Sequence, residues 1–346
     1  MRIPESTLEN FLSVVRTQKK KIVVYGAGVI GKVTLPAWIE ERQLEEEVLF
    51  VTDADSRKWG GSLQMGNRQC GICSPERLKE TKEKFVILIT ASRYSTILQY
   101  LDRMEELAET DVYIFPLMLT RECRAFEKQT TQKSSEAPVI PKTIHYCWFG
   151  RGKLSEEMER CRETWRKFCP DYQIIQWNED NYDLEKYLYT RQAYHHKKWG
   201  FIPDVARLEI LYENGGIYLD TDVELIRSLD ELLYQPGFVG VEKWGVINVG
   251  GGCGVMPHHP MIRKLLEYRL KFPFEWEDGS LNLESSGSYE SKPFLDCGFK
   301  PDNTIQNVGG MTVYTSDFFH PFDYVSRELC VTENTYGIHH FTASWV

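Results

Sequence analysis

Short apolar segments alternate with polar stretches between residues 19 and 115, and this alternation constrains the fold more than any other feature. Four segments are typical of buried β-strands, each bounded by charged or turn residues: KIVVYG, EVLFVTD, KFVILIT and DVYIFP. The stretches between them are long enough for crossover helices. Such alternation predicts an α/β fold in which a parallel sheet carries helices on its faces.

A glycine-rich turn follows the first of these strands. Gly26, Gly28 and Gly31 form the pattern GxGxxG at the head of a predicted helix, and Asp53 ends the next strand. Glycines in this pattern let backbone amides approach a pyrophosphate at a helix N-terminus. Four strands fall short of a complete dinucleotide-binding fold. Two interpretations of residues 1–127 therefore stay open: a nucleotide-binding domain, or a Rossmann-like scaffold with a docking or regulatory role.

A second apolar region begins after a polar segment, residues 128–138, which is predicted to be a linker. Residues 139–346 mix strand-like segments (QIIQWN, GIYLDTDVEL, GFVGVEK) with helical ones such as PMIRKLLEYRLKF. A chain of 346 residues fits two domains. The sequence therefore predicts a second α/β domain over residues 139–346.

The most specific local signal in the second region is the acidic pair in GIYLDTDVEL. Asn214, Gly215 and Gly216 end a helix, and the apolar strand that follows is predicted to carry Asp220 and Asp222 at its end. Residues two apart on a strand face the same way, so both carboxylates would point to one site. Their mutual repulsion favours a divalent cation, and carboxylate oxygens are ligands that Mg²⁺ and Mn²⁺ prefer. A cation there could stabilise a leaving diphosphate.

Four blocks in the second region resemble glycosyltransferase family 32, which includes bacterial capsule-type enzymes and relatives of eukaryotic α-mannosyl- and α-galactosyltransferases. The blocks are IPKTIHYCWFG (140–150), WNEDNYD (177–183), KWGFIPDVARLEILYENGGIYLDTDVEL (198–225) and IHHFTASW (338–345). The resemblance implies a GT-A fold, with a nucleotide at the carboxyl ends of the strands. It does not extend to residues 1–130.

The resemblance also implies roles for individual residues. Asp204 would contact the ribose or donor sugar, and Arg207 the diphosphate or sugar hydroxyls, as the planar guanidinium suits phosphate oxygens. Asp220 would touch ribose and metal, Asp222 would be the principal metal ligand, and His339, with His340 as the alternative, would complete the metal shell. These four acidic and basic groups are the candidate catalytic residues: Asp204, Arg207, Asp220 and Asp222.

The candidate donor-binding residues come from the first, third and fourth blocks, and Asn248 lies outside all four. Ser344 and Trp345 would belong to a loop that closes over the diphosphate. The complete candidate set is His145, Trp148, Asp204, Arg207, Tyr218, Asp220, Asn248, Ser344 and Trp345. One departure concerns the acceptor side: where the family often has a threonine-glycine-proline stretch, this chain has SSGSYES (285–291).

These motifs predict a hexosyltransferase that uses Mn²⁺ or Mg²⁺, a UDP- or GDP-sugar donor, and a saccharide or lipid-linked acceptor. The resemblance implies that the anomeric configuration is retained. A net charge of −9 argues against nucleic acid as a partner. The sequence has no signal peptide and no apolar run of membrane-spanning length, and nine scattered cysteines favour the cytoplasm. Peripheral association with the inner face of the membrane and a homo-oligomer are left open.

Three other functions compete with this interpretation. An NAD-dependent oxidoreductase or epimerase would use the GxGxxG turn, but no well-placed Tyr-x-x-x-Lys motif follows it. A phosphatase would use YLDTDV as its nucleophilic motif, but that motif belongs near the start of its domain. A non-catalytic scaffold would show no donor hydrolysis.

Overall fold

The computed structural model of the protein describes residues 1–121 and 127–342. The chain divides into two compact units, residues 1–125 and 126–346. Both are mixed α/β structures, so the predicted fold class is confirmed. Among the described helices, none combines the length and the apolar character needed to cross a membrane.

The first unit is built around a six-stranded sheet with the order β3-β4-β2-β1-β5-β6. Its strands are β1 (Lys21–Tyr25), β2 (Val48–Thr52), β3 (Ser62–Met65), β4 (Arg68–Cys73), β5 (Phe85–Ile89) and β6 (Val112–Ile114). Its α-helices are α1 (Leu8–Leu12), α2 (Leu35–Glu41), α3 (Arg77–Glu80), α4 (Tyr94–Leu101) and α5 (Phe115–Arg121).

The four strands predicted from apolar segments form β1, β2, β5 and β6, and they pair in parallel. The connection between β2 and β5 differs from the predicted crossover helix. It contains the antiparallel hairpin of β3 and β4, followed by the four-residue helix α3. The residues of β3 alternate between exposed and buried, and Gly66 in the tight turn has a φ of 58°, which favours glycine. Alternation with a glycine turn is the signature of a hairpin.

The second unit is built around a seven-stranded sheet with the order β13-β14-β11-β12-β9-β7-β8. Its strands are β7 (Thr143–Cys147), β8 (Gln173–Trp177), β9 (Gly216–Tyr218), β10 (Val223–Leu225), β11 (Gly237–Val241), β12 (Ile247–Val255), β13 (Gln306–Val308), β14 (Met311–Tyr314), β15 (Phe322–Asp323), β16 (Glu328–Leu329) and β17 (Gly337–His339). Its α-helices are α6 (Glu156–Phe168), α7 (Leu188–His195), α8 (Pro203–Asn214), α9 (Pro260–Arg269), α10 (Ser286–Asp296) and α11 (Ser316–Phe319).

Strands β8, β7 and β9 are parallel neighbours, and β12 runs antiparallel to β9. Successive residues of β9 belong to different apolar clusters, because Ile217 packs with side chains from α6 and α11 whereas Tyr218 packs with side chains from α8 and α9. The sheet is thus covered on both faces, as a parallel sheet requires. The carboxyl end of β9 is central in this sheet, beside an antiparallel strand.

The segment predicted as a linker, residues 128–138, is held by hydrogen bonds within the second unit. The backbone N–H of Gln129 donates to Asn334 Oδ1 (2.7 Å), and that of Gln132 donates to the Tyr314 hydroxyl (3.2 Å). The N–H groups of Ser134 and Ser135 donate to the carbonyl oxygen of Tyr234. The segment has no regular secondary structure but has fixed partners.

Candidate active site

The acidic pair lies on a turn rather than on a strand. Strand β9 ends at Tyr218, and residues 220–222 form a turn in which the Val223 N–H donates to the Asp220 carbonyl oxygen (3.1 Å). The Asp220 N–H donates across to the Gly250 carbonyl oxygen on β12 (2.7 Å). The two carboxylates do approach one site, but turn geometry causes this, and not the strand alternation that the sequence suggested.

A second pairing brings a histidine to the acidic pair. Strand β10, directly after the turn, pairs antiparallel with β17, and Val223 lies opposite His339. His339 Nε2 is consequently 3.3 Å from Asp222 Oδ1. The ligand atoms of Asp220, Asp222 and His339 all lie within 4.8 Å of one another, and we call these three side chains the DxD site. The alternative ligand, His340, instead pairs with Glu224 at 3.0 Å.

The DxD site has the electrostatics of a cation site. Burial raises the pKa of Asp222, but the charge of His339 and hydrogen bonds from His339 and Thr342 lower it by more, so the pKa lies well below its usual range. Burial lowers the pKa of His339, and the negative charge of Asp222 and its neighbours outweighs this and raises it. Nδ1 of His339 is buried without a hydrogen-bond partner among the described residues. Two carboxylates and an imidazole suit a divalent metal, which would replace the proton on the ring.

Arg207 and Asp204 lie beneath the DxD site on helix α8. Their spacing of three residues places both on one face of the helix. Arg207 is only 4% exposed, and its guanidinium lies 3.8 Å from Asp220 and 3.9 Å from Asp204. Burial lowers the pKa of Arg207, but the charges of Glu290, Asp220 and Asp204 raise it well above its ordinary value. The arginine therefore stays charged and forms an ion pair with the Asp220 carboxylate.

Glu290 on helix α10 is a site residue that sequence reasoning missed. It is 3% exposed, and its carboxylate forms an ion pair with Arg207 and accepts a hydrogen bond from the Val249 N–H (2.9 Å). Asp204 is in turn paired with Arg269 (3.6 Å) and bonded to the Tyr189 hydroxyl (3.1 Å). Glu290 belongs to the SSGSYES segment, which carries no local signature of an arginine partner.

The glycines of strand β12 let two functional side chains lie directly on the strand. A Cβ atom added at Gly250 would lie 2.1 Å from Asp220 Oδ2, and one at Gly251 would lie 2.0 Å from His320 Nε2. His320 is buried, its ring centroid lies 5.6 Å from that of His339, and its pKa falls well below its ordinary value because of burial and the charge of His339. Sequence reasoning missed His320; the glycine run was the available signal.

Asn248, a predicted donor-binding residue, lies at the start of β12 near the site. Its Oδ1 accepts from the Gly251 N–H (2.9 Å), and its Nδ2 donates to Glu242 Oε1 (2.9 Å). Burial raises the pKa of Glu242 to about 7. Thr342 bonds Asp222 Oδ2 through both its N–H (2.9 Å) and its hydroxyl (3.0 Å). The two Thr342 hydrogen bonds fix the loop that follows β17 against the acidic turn.

The remaining donor-site predictions have four different outcomes. Tyr218 is buried and its hydroxyl donates to Asp220 Oδ1 (3.1 Å), so it supports the DxD site. His145 is 1% exposed, with Nε2 bonded to the Gly215 carbonyl oxygen (3.0 Å) and Nδ1 accepting from the Trp177 indole (3.1 Å), so both nitrogens serve the fold. Trp148 is half-buried and donates to the Gly152 carbonyl oxygen (2.7 Å). Ser344 and Trp345 lie outside the described residues.

In the first unit, the carboxylate of Asp53 accepts a hydrogen bond from the glycine-rich turn. Gly26 has a φ of 121°, and a Cβ at Gly31 would lie 2.4 Å from the Gly26 carbonyl oxygen, whereas Gly28 faces open space. Asp53 Oδ2 accepts from the Ala27 N–H (2.7 Å) and from Lys58 Nζ (3.0 Å), and Oδ1 accepts from the Asp55 N–H (2.8 Å). A carboxylate of the chain itself thus bonds the turn amide that a phosphate would approach.

Comparisons with known proteins bear on the second unit. Residues 155–239 match the family model described as a glycosyltransferase sugar-binding region containing a DXD motif. This match includes Asp204, Arg207, Asp220 and Asp222 but neither His339 nor Glu290.

The curated relatives include an inositol phosphoceramide mannosyltransferase and a mannosyl phosphorylinositol ceramide synthase. Inositol phosphoceramide mannosyltransferase 3 of Schizosaccharomyces pombe is 28% identical over 150 residues, 41% of this chain and 41% of the relative. Mannosyl phosphorylinositol ceramide synthase SUR1 of Saccharomyces cerevisiae is 28% identical over 143 residues, 40% of this chain and 37% of the relative. The matches thus span about two fifths of the length of these relatives.

Two further similarities were found. An uncharacterized glycosyltransferase of Acanthamoeba polyphaga mimivirus is 25% identical over 223 residues, 60% of this chain and 84% of the relative. Among solved structures, the PaToxG glycosyltransferase has a TM-score of 0.37 and 19% identity over 45% of this chain and 69% of that one. The family model and the named relatives support the predicted enzyme class, a glycosyltransferase, and give no support to an oxidoreductase.

Proposed function

We propose that the second unit is a GT-A domain of glycosyltransferase family 32, and that it moves a hexose from a nucleoside diphosphate sugar to a hydroxyl of a glycan or lipid-linked acceptor. The observation that carries this proposal is the convergence of Asp220, Asp222 and His339 at the carboxyl end of β9, inside a matched DXD region. Ligands of α/β proteins bind at the carboxyl ends of parallel strands. The DxD site therefore lies where a nucleotide would bind.

The DxD site would hold Mn²⁺ or Mg²⁺ through the carboxylates of Asp220 and Asp222 and the imidazole of His339. A divalent cation bound there neutralises charge that develops on a departing diphosphate. Thr342 fixes the Asp222 carboxylate through two hydrogen bonds. The ion pair with Arg207 and the hydrogen bond from Tyr218 fix the Asp220 carboxylate. The metal-binding side chains are therefore positioned before the substrate binds. This preorganisation avoids a reorganisation cost during the reaction.

Arg207 serves the reaction through Asp220 in this proposal. The resemblance implied that Arg207 contacts the diphosphate or sugar hydroxyls directly, but its guanidinium is nearly buried and is enclosed by three carboxylates, those of Asp204, Asp220 and Glu290. Because Asp204 is also paired with Arg269 (3.6 Å), two guanidinium groups face the three carboxylates, and the one negative charge left over favours a bound metal ion. Asp204 holds the arginine in place, which gives the D-x-x-R motif a role in positioning.

We propose that transfer retains the anomeric configuration. The departing diphosphate takes the proton of the acceptor hydroxyl on the same face of the sugar from which it leaves, so no protein base is required. The experiment is NMR of the product formed from an α-linked donor. A product with inverted configuration would refute the front-face reaction without affecting the metal assignment.

The names of the relatives favour a mannosyl donor and a lipid-linked acceptor. The test is a thermal-shift screen of the full chain with UDP-glucose, UDP-galactose and GDP-mannose, each with and without MnCl₂. A bound ligand raises the melting temperature by mass action. We expect one donor to stabilise the wild type only when Mn²⁺ is present, and Asp222→Asn to lose that coupling. Equal shifts with and without metal would contradict the proposal.

We propose that the first unit is a Rossmann-like scaffold rather than a nucleotide site. What supports this is the Asp53 carboxylate, which already bonds the amide of Ala27 and the ammonium group of Lys58. The test is a titration of the full-length Asp222→Asn variant with NAD and with nucleotide sugars, because the DxD site is disabled in it. Saturable binding by that variant would restore the nucleotide-site interpretation.

We propose that the reaction takes place in the cytoplasm. Every cysteine among the described residues is a free thiol, as expected in a reducing compartment. Labelling of intact cells with a membrane-impermeant thiol reagent tests this, because the exposed Cys330 would escape modification until the cells are lysed.

A further inference from the structure

Glu290 is connected to the proposed metal ligand Asp220 by two routes, one through side chains and one through the backbone. In the first route, Glu290 Oε1 accepts a hydrogen bond from Arg207 Nη2, and Arg207 Nη1 lies 3.8 Å from Asp220 Oδ2. In the second route, Glu290 Oε2 accepts from the Val249 N–H (2.9 Å). The next residue, Gly250, accepts the Asp220 N–H through its carbonyl oxygen (2.7 Å). Both oxygens of one buried carboxylate thus bond to the surroundings of Asp220.

The Arg207 guanidinium is hydrogen-bonded to Glu290 but only near Asp220. A hydrogen bond between an arginine and a carboxylate measures about 2.7–2.9 Å, so the 3.8 Å to Asp220 is an ionic contact without a hydrogen bond. The Gly250 backbone lies beside both groups and has no side chain that would keep them apart. A Cβ added there would lie 3.0 Å from Arg207 Nη1 and 2.1 Å from Asp220 Oδ2. A guanidinium released by Glu290 would therefore move onto Asp220.

The pairing of the buried charges decides which carboxylate is left for a cation. Asp204 is paired with Arg269 (3.6 Å), and Glu290 is paired with Arg207. The negative charge that remains belongs to Asp220. A carboxylate that accepts hydrogen bonds from a guanidinium has fewer lone pairs to offer a metal ion. Glu290 thus occupies the cation that would otherwise neutralise Asp220.

We propose that Glu290 is a positioning residue of the metal site, which binds the Arg207 guanidinium and so keeps the Asp220 carboxylate free for a divalent cation. This inference rests on the proposed function, because it requires that the DxD site binds a metal ion. The hydrogen bond from the Val249 N–H holds the Glu290 carboxylate against β12 while it binds the arginine. Helix α10 thereby contributes to metal binding through a residue that contacts no proposed metal ligand itself.

The test is a titration of the full chain with Mn²⁺, in which free metal is measured by electron paramagnetic resonance. Glu290→Gln has no charge and one acceptor oxygen instead of two, so it cannot bond both the Val249 N–H and the Arg207 guanidinium. We expect Arg207 to move to hydrogen-bond distance of Asp220. The affinity for Mn²⁺ should then fall about 10–100-fold, the range observed when groups that orient metal ligands are removed.

A second substitution distinguishes this positioning role from a purely structural one. In the double variant Arg207→Gln/Glu290→Gln, two amides that can bond each other replace the buried ion pair. No guanidinium is then released toward Asp220. We expect the double variant to bind Mn²⁺ more tightly than Glu290→Gln alone, because the effects of residues in one network are not additive. A purely structural Glu290 predicts the opposite order, since the double variant has lost two supporting groups.

Leu232→Ala is the control for a general loss of stability. Leu232 is buried in the helical segment Asp230–Tyr234, outside the DxD site. Truncating a buried leucine leaves a cavity, so this variant should have a lower melting temperature. Its affinity for Mn²⁺ should remain that of the wild type.

Four results would overturn the inference. Glu290→Gln binds Mn²⁺ as tightly as the wild type, the double variant binds it no more tightly than Glu290→Gln, Leu232→Ala loses as much affinity as Glu290→Gln, or the wild type binds no Mn²⁺. Failure of the proposed function is recognised separately. In that case the wild type would hydrolyse no nucleotide sugar, while the Mn²⁺ affinities of the variants would still follow the expected order.

Discussion

Replacing Gly250 by alanine should disable the DxD site through a single added methyl group. The new Cβ would lie 2.1 Å from Asp220 Oδ2, whereas ordinary van der Waals contact begins near 3.4 Å. Either the Asp220 carboxylate or strand β12 must therefore move by roughly 1.3 Å. Metal–ligand distances tolerate only about 0.2 Å of error, so a displaced Asp220 can no longer act as a ligand.

The expected loss of Mn²⁺ affinity follows from the loss of one of the three proposed metal ligands. Disturbing even the groups that orient metal ligands lowers metal affinity by about 10–100-fold, so Gly250→Ala should lower Mn²⁺ affinity by at least that factor. This corresponds to about 1.4–2.8 kcal/mol of binding free energy. Overpacking of a well-packed region costs about 1–3 kcal/mol of unfolding free energy, so the variant should still fold.

The assay is a titration with Mn²⁺ in which free metal is measured by electron paramagnetic resonance. Gly152→Ala is the matched control, because nothing lies within 4 Å of the Cβ that it adds. If the effect acts through Asp220, the double variant Gly250→Ala/Asp220→Asn should bind Mn²⁺ no more weakly than Asp220→Asn alone. Wild-type affinity in Gly250→Ala, or full additivity in the double variant, would refute the reasoning.

Three other substitutions test separate parts of the account. Glu290→Gln removes the charge from a buried ion pair and should lower the free energy of unfolding by up to about 3 kcal/mol, whereas Glu267→Gln, in an exposed pair on α9, should cost about 0.5 kcal/mol or less; guanidinium unfolding of both compares them. Burial lowers the pKa of His145 from 6.5 to about 4, so the folded state disfavours its protonation, and the wild type should lose stability as the pH falls from about 6.5 to 4. The loss amounts to about 3 kcal/mol, and unfolding curves of His145→Gln should lack this component; an identical pH dependence in the two proteins would contradict it. Tyr218→Phe removes the hydroxyl that bonds Asp220 and should lower Mn²⁺ affinity about tenfold in the same titration, while an unchanged affinity would remove Tyr218 from the site.

The sequence predicted much of the sheet because apolar segments are local signals. The segments around β1, β2, β5 and β6 each combine β-branched residues with bounding charges, and all four form strands. The hairpin of β3 and β4 was not predicted, since its alternating residues are less apolar than a buried parallel strand. Local composition therefore identified four adjacent strands, from β2 to the β6 edge, and missed the opposite edge formed by β3 and β4.

The candidate site was predictable where its residues are close in sequence. Asp204 and Arg207 are one helical turn apart, and Asp220 and Asp222 share a turn, so short motifs contain them. Strand alternation was the wrong reason for the acidic pair, because Asp220 and Asp222 lie on a turn between β9 and β10. The pairing of β10 with β17 then brings His339 to Asp222.

Residues joined only by the tertiary fold left no signal in the sequence around their own positions. Glu290 reaches Arg207 across 83 residues of sequence, and its neighbours in SSGSYES are serines, glycine and tyrosine with no arginine-binding pattern. The His320 ring lies near His339 because Gly251 on β12 has no side chain that would occupy the same space. Such contacts depend on how helices and strands pack, which a single sequence does not specify locally.

The central claim is that Asp220, Asp222 and His339 would together hold a divalent cation, which would neutralise charge on the diphosphate of the donor. Anomalous diffraction at the manganese edge, from crystals grown with Mn²⁺ and a nucleoside diphosphate, tests it most directly. The account predicts one strong peak within about 2.0–2.3 Å of the Asp222 carboxylate and the His339 imidazole. A nucleotide bound elsewhere in the protein, with no anomalous peak between these three side chains, would contradict the account.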